Sequence, residues 1–118
     1  MNYLLVFLGG GLGSLIRYFI NKLIPQDFTN FPFATFCSNV LSCFIFGITI
    51  AFFVRGNINE AQKLFITTGL CGGFSTFSAF SFESLQLLQE GNILIFVANV
   101  VLSIIICLLA LYIGVKLV

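Results

Sequence analysis

Apolar residues fill four long stretches of this chain, and short polar segments separate them. Crossing the hydrocarbon of a bilayer takes about 20 predominantly apolar residues. The pattern therefore predicts four transmembrane helices, over residues 3–24, 32–54, 63–88 and 93–115. Pro32 suits the first turn of the second. The connections are short: 25–31, which contains Asp27; 55–62, reading R-G-N-I-N-E-A-Q; and 89–92, with Glu90 and Gly91. Residues 1–118 read as one transmembrane domain, with no linker, low-complexity tail or extramembrane module. The first stretch has glycines at its centre, no basic segment before it and no clear small-residue cleavage site. It is expected to be a retained span and not a signal peptide.

Polar residues within the spans fall into stripes. Thr35, Asn39, Ser42 and Thr49 share one face of the second helix, and Asn99, Ser103 and Cys107 share one face of the fourth. Polar groups in hydrocarbon are costly unless they pair or face a cavity. Each stripe is thus either a set of interhelical and back-bonding contacts or the wall of a path.

The third span is written differently. Gly69 to Glu83 reads G-L-C-G-G-F-S-T-F-S-A-F-S-F-E. Glycine pairs loosen a helix, and hydroxyls re-satisfy the backbone groups so freed. This predicts a broken helix. Unwound carbonyls at 72–75 could coordinate a hard cation, as discontinuous membrane helices do. Sodium fits better than calcium, because no carboxylate is close in sequence. A helix restarting near Phe77 would put Phe77, Phe80, Ser81 and Ser84 on one face. An aromatic ring has a negative face and a positive edge. Rings presented edge-on attract a small anion, and rings presented face-on attract a cation. Sequence leaves both open. Most of the 16 phenylalanines are expected to face lipid or core.

Composition narrows the class. Hydrophobic residues make up 59% of the chain and charged residues 8%, with a mean hydropathy of +1.13. A soluble domain carries about 25% charged residues, so this is an integral membrane protein. A net charge of +1, with no basic patch, argues against nucleic acid as a partner. Histidine is absent, which removes Ser-His-Asp and Cys-His catalysis. Neither glycine cluster is followed by GK[ST], so no P-loop is present. The protein is not expected to be an enzyme. Cys37, Cys43, Cys71 and Cys107 lie in apolar stretches without metal-ligand spacing and read as small packing residues.

Charge says little about orientation, and that is itself informative. Arg55, Lys63 and Lys116 fall on one side, Lys22 and Arg17 on the other. This is a weak vote under the positive-inside rule. Either both termini face the cytoplasm, or the chain inserts both ways up and forms an antiparallel dimer. Four helices leave little room for a path between them, and a dimer interface could supply one. Gly9 with Gly13, and Gly69 with Gly73, have the GxxxG spacing that lets helices approach. Arg17 reads as an interfacial anchor or as an attractive charge at an anion vestibule. Glu83, about two turns before the end of its span, faces a wet end or pairs with Lys22 or Arg17.

Three blocks carry a family resemblance: G-G-G-L-G-S-L-I-R-Y at 9–18, F-P-F-A-T-F-C-S-N at 31–39, and G-L-C-G-G-F-S-T-F-S-A-F at 69–80. With them the chain resembles the Fluc (CrcB) fluoride channels over essentially its whole length. The resemblance implies an all-α membrane fold of four helices, the third broken near its middle, assembled as an antiparallel, dual-topology homodimer with two pores. It implies passive fluoride export across the plasma membrane, giving fluoride resistance. It also implies a structural sodium ion at the dimer centre, required for activity but not transported, on the backbone carbonyls of Gly72 and Ser75. By position, Phe77 and Phe80 would face the ion, with Asn39 supporting them and Thr35 one turn away. Ser78, Ser81 and Glu83 would belong to the pore of the third span and Ser103 to a polar track on the fourth. Arg17 would sit near the vestibule.

Ala34, Ser38, Ser75, Ala79 and Cys107 depart from the family's usual Gly, Val, Thr, Thr and hydroxyl residue. These changes bear on conduction rate more than on function class. Two alternatives differ in kind. A four-span multidrug exporter needs a carboxylate in its first span, and no acid precedes Asp27. A chain that conducts only as half of a heterodimer with a paralogous partner is the other.

Overall fold

The computed structural model describes residues 1–24 and 31–118. The 25–30 part of the first connection, with Asp27, lies outside them. The regular elements among the described residues are all helical, with no strand. α1 is Asn2–Leu23, α2 Phe33–Val54, α3 Glu60–Leu64, α4 Gly72–Phe74, α5 Phe77–Gln89 and α6 Ile93–Leu117. A π-helical segment, Phe65–Cys71, joins α3 to α4. The third span, Glu60–Gln89, thus contains three helical pieces and the π segment between the first two. The four spans have 22, 22, 30 and 25 residues. At about 1.5 Å per residue even the shorter ones cover the roughly 30 Å of a hydrocarbon core. This is a multi-pass membrane protein.

Local sequence sets the helix ends. Both α2 and α5 stop at a glycine in the left-handed region, Gly56 (φ 78°) and Gly91 (φ 81°). At the first, Gly56 donates to the Phe53 carbonyl and Asn57 to that of Phe52. At the second, Gly91 donates to Leu88 and Asn92 to Leu87. This double bond is the Schellman stop, and it needs a residue tolerant of positive φ. The third span starts three residues earlier than the hydropathy pattern predicts, at Glu60. The Asn59 side chain accepts from the Gln62 N–H at 2.8 Å, and the Gln62 side chain accepts from the Asn59 N–H at 3.0 Å. This reciprocal cap fixes the start in polar sequence, where hydropathy carries no signal. Pro32 precedes the first turn of α2.

Two close helix pairs make the bundle. α1 packs on the π segment and α4, and α2 packs along α6. Glycines permit both approaches. A methyl group on Gly9 would lie 2.6 Å from the Phe65 carbonyl oxygen and 2.9 Å from the Gly69 Cα. One on Gly73 would run into the Gly10 backbone, and one on Gly13 into the backbone of Leu70 and Phe74. The same relation holds Gly47 of α2 against Gly114 of α6, where a methyl on either would be 3.2 Å or 3.2 Å from the other's Cα. After the break, α5 leaves α1 and packs on α6 and α2. The interruption therefore redirects the third span from one helix pair to the other.

The break overlaps the expected 72–75 stretch only at Ser75. Gly72–Phe74 is helical, and Gly72 itself has φ −63° and ψ −34°. The extended residues are Ser75 (φ −93°, ψ 152°) and Thr76 (φ −149°, ψ 124°). Gly69 and Gly73 serve the approach of α1 and do not unwind the helix.

Candidate functional site

The polar stripe of α2 meets the third span at three successive levels. Thr35 Oγ1 donates to Glu83 Oε2 at 3.0 Å. Asn39 Oδ1 accepts from the Thr76 N–H at 3.1 Å. Ser42 Oγ donates to the Cys71 carbonyl at 3.3 Å. The two spans run antiparallel, so rising numbers on α2 meet falling numbers on the third. Thr49, the last member of the stripe, donates back to the Ile45 carbonyl within its own helix. The stripe is thus mostly interhelical bonding along one seam.

The middle level controls the backbone at the break. In a continuing helix the Thr76 N–H would donate to the Gly72 carbonyl, four residues back. Asn39 takes that N–H instead. Likewise the Ala79 N–H, which would meet the Ser75 carbonyl, donates to Thr76 Oγ1 at 3.3 Å. Thr76 is the N-cap of α5. Both carbonyls expected to bind a cation are therefore those whose helical donors are diverted to side chains. Their neighbours are occupied. The Cys71 carbonyl accepts from the Ser75 N–H at 3.0 Å and from Ser75 Oγ at 2.8 Å. The Gly73 carbonyl accepts from Arg17 Nε at 3.2 Å.

Arg17 is thus joined to the third span by its guanidinium, and it is half-buried. It does not pair with Glu83, as one sequence reading had it; that carboxylate is held by Thr35. Among the described residues the ion pair formed is Lys63 with Glu60, at 3.3 Å.

On the other side of the break, a cleft of about 390 Å³ opens between α2, α5 and α6. Asn39, Phe77, Phe80 and Ser103 line it together, with Cys43 and Cys107. The Phe77 and Phe80 rings are 5.7 Å apart, tilted by 39°. Ser103 Oγ donates to Asn99 Oδ1 at 3.3 Å, and Asn99 Nδ2 donates to Ser84 Oγ at 3.0 Å. This buried chain pairs Asn99 and Ser103 of the α6 stripe and ties α6 to α5. Gly72 and Ser75 line a neighbouring cleft of about 290 Å³ with Ser42, Cys43 and Thr67.

Four of the predicted pore residues lie apart from the cleft lining. Ser78 and Ser81 are exposed on α5, where Ser78 Oγ is 2.9 Å from Thr76 Oγ1. Thr35 and Glu83 form their own contact further along the α2–α5 seam. Sequence reasoning missed Thr76. A threonine just ahead of the expected restart at Phe77 was a legible N-cap signal. The face of α5 that carries Phe77, Phe80, Ser81 and Ser84 is unevenly covered: Phe77 and Ser81 are exposed, Phe80 is half-buried, and Ser84 is buried against Asn99.

Comparison with known proteins follows the same lines. Residues 4–115 match the model of a family described as CrcB-like protein, Camphor Resistance (CrcB). A protein of Phocaeicola vulgatus named "Fluoride-specific ion channel FluC" is 43% identical over 113 residues, covering 95% of this chain and 93% of its own. One of Flavobacterium psychrophilum with the same name is 43% identical over 114 residues, covering 92% and 90%. One of Shewanella halifaxensis, again so named, is 41% identical over 118 residues, covering 99% and 95%.

Proposed function

This chain belongs to the CrcB-like family, and on that premise we propose that it is a fluoride channel of the plasma membrane, through which the anion leaves the cytoplasm passively. It is a channel and not an enzyme. The observation that carries the reading is the cleft in which Asn39, Phe77, Phe80 and Ser103 meet. Fluoride is small and holds its water tightly. A path for it must replace that water while binding weakly enough for release. Amide, hydroxyl and positive ring edges do so without a fixed positive charge that would trap the ion.

The conducting unit is a homodimer of oppositely oriented chains. Its support lies on the open face of the third span. Phe77 is 78% exposed on the single chain, and Thr68, Gly72, Ser78 and Ser81 are exposed along the same span. Hydroxyls turned to lipid in mid-span are costly. A second copy covers them and closes the cleft into a path.

Sodium is the bound, untransported ion. The Gly72 and Ser75 carbonyls would hold it, and the diversion of their helical donors to Asn39 and Thr76 fits them for that role. A hard cation takes oxygen ligands, and these are oxygens without competing donors from their own helix. When bound, the ion supplies positive charge at the break.

The test is fluoride release from liposomes, followed with a fluoride electrode. Purified dimeric protein should release fluoride well above empty liposomes. Release no faster than the blank, from folded protein, overturns the homodimeric channel. Exhaustive exchange of sodium for a large organic cation should abolish release, and undiminished flux would count against the ion's role.

A further inference from the structure

The smaller cleft, of about 290 Å³, carries three hydroxyls in its wall, those of Ser42, Thr67 and Ser75. A hydroxyl has one proton to donate and two lone pairs that accept. All three protons are spent on backbone carbonyls. Thr67 Oγ1 donates to the Lys63 carbonyl at 2.8 Å. Ser42 Oγ and Ser75 Oγ both donate to the Cys71 carbonyl, at 3.3 Å and 2.8 Å. Sharing one acceptor makes neighbours of these two oxygens, one from α2 and one from the break. The Cys71 thiol also lines the cleft and is likewise turned to backbone, donating to the Ser42 carbonyl at 3.5 Å. What the hydroxyls keep for the cleft is lone pairs. Beside them lies Gly72, whose carbonyl has lost its helical donor to Asn39.

The larger cleft is the opposite case. Cys43, Ser75 and Leu111 line both clefts and so form a shared wall. Asn39 lines the larger one alone. Its Oδ1 is taken by the Thr76 N–H, which leaves its amide N–H groups free to donate. An anion meets amide donors on one side of that wall and hydroxyl lone pairs on the other.

We propose that the smaller cleft is an outer site for a hard monovalent cation, through which sodium reaches the Gly72 and Ser75 carbonyls. This deepens the sodium reading above and rests on it for the identity of the ion. Hard cations take oxygen ligands, and the cleft presents those of Ser42, Thr67 and Ser75. Among the described residues no carboxylate lines it, whereas calcium sites are built largely on carboxylates. Arg17, on the adjacent Gly73 carbonyl, places a positive charge nearby, which opposes a divalent ion twice as strongly as a monovalent one. Phe46 and Leu111 offer the ion nothing. It therefore keeps part of its water and is held weakly enough to move on. Binding makes and breaks no covalent bond.

Thallous ion is the probe, given as the acetate in sodium-free, chloride-free medium, because its anomalous X-ray scattering marks its position in crystals of the dimeric protein. Density should appear in the cleft, against the Ser42 and Thr67 hydroxyl oxygens, as well as at the Gly72 and Ser75 carbonyls. This needs no variant to fold. Thr67→Val keeps the shape of the side chain, and Ser42→Ala leaves the Cys71 carbonyl its donors from Ser75. Each should remove the cleft density and keep that at the break. Loading of sodium-depleted protein with radioactive sodium should slow at least roughly tenfold in each, as loss of a contact to a charged group implies. Density at the break alone in the unaltered chain overturns the outer site and leaves the sodium reading standing, as does unslowed loading of both variants. Density on the Cys43 sulfur in place of the hydroxyls also overturns it. Density in the cleft alone would keep the cation site and overturn the break as its destination. No density at either place overturns both.

Discussion

Asn39 accepts the backbone N–H of Thr76 at 3.1 Å, and this bond sets the form of the break in the third span. It removes the donor that a continuous helix would aim at the Gly72 carbonyl, and it fastens the start of α5 to α2. One side chain thus links the cleft it lines to the backbone one turn before it.

Replacing Asn39 by alanine should reverse both effects. A half-buried N–H loses its acceptor, at a cost of about 1–3 kcal/mol, and it becomes available to the Gly72 carbonyl. Unfolding in detergent should show the lost stability. Fluoride release should fall about tenfold, the equivalent of about 1.4 kcal/mol, and should need higher sodium. Unchanged stability and sodium dependence would count against the coupling.

The phenylalanines on either side of the break should separate packing from conduction. Phe74 is 2% exposed and Phe77 is 78% exposed. Phe74→Ala should cost about 3 kcal/mol of stability, the lower end for a buried phenylalanine, because no transfer from water contributes in a bilayer. Phe77→Ala in the monomeric chain should change stability by about 0.5 kcal/mol or less, while strongly lowering fluoride release by the dimer. Equal losses of stability in the two variants would refute this division.

Gly73 of the third span and Gly11 of the first make a sharper pair. A methyl on Gly73 meets the Gly10 backbone, 3.0 Å from its carbonyl carbon, whereas one on Gly11 meets nothing within 4 Å. Backbone cannot swing aside as a side chain does. Gly73→Ala should therefore destabilise by about 1–3 kcal/mol, in the range of overpacked cores, and Gly11→Ala should leave the fold intact. Chemical unfolding of both variants in the same detergent decides it.

Ser38 offers a gain. Its hydroxyl is fully buried and has no hydrogen-bond partner among the described residues. A buried hydroxyl left unpaired costs about 1–3 kcal/mol. Ser38→Ala should raise stability by about 1 kcal/mol, read as a higher midpoint of unfolding. A lower midpoint would mean that the hydroxyl is satisfied in the bilayer.

The sequence by itself determined the membrane class, the four spans and the residue types of the cleft. Those follow from local physics. A run of apolar residues long enough to span hydrocarbon has few other uses, and a polar stripe repeating at helical spacing has to face something other than lipid. The stop signals at Gly56 and Gly91 and the Asn59–Gln62 cap are local in the same sense. What the tertiary structure decided was the partner of each polar group. The adjacent Gly72 and Gly73 look in sequence like the cause of a break. Gly73 instead forms, with Gly69 at GxxxG spacing, the seat of α1, because whether a glycine loosens a helix or admits a neighbour depends on what packs against it. The break falls at Ser75 and Thr76, since Asn39, 37 residues away in the chain, claims the N–H that would have continued the helix. No pattern within Gly69–Glu83 records that competition. It exists only once α2 lies against the third span.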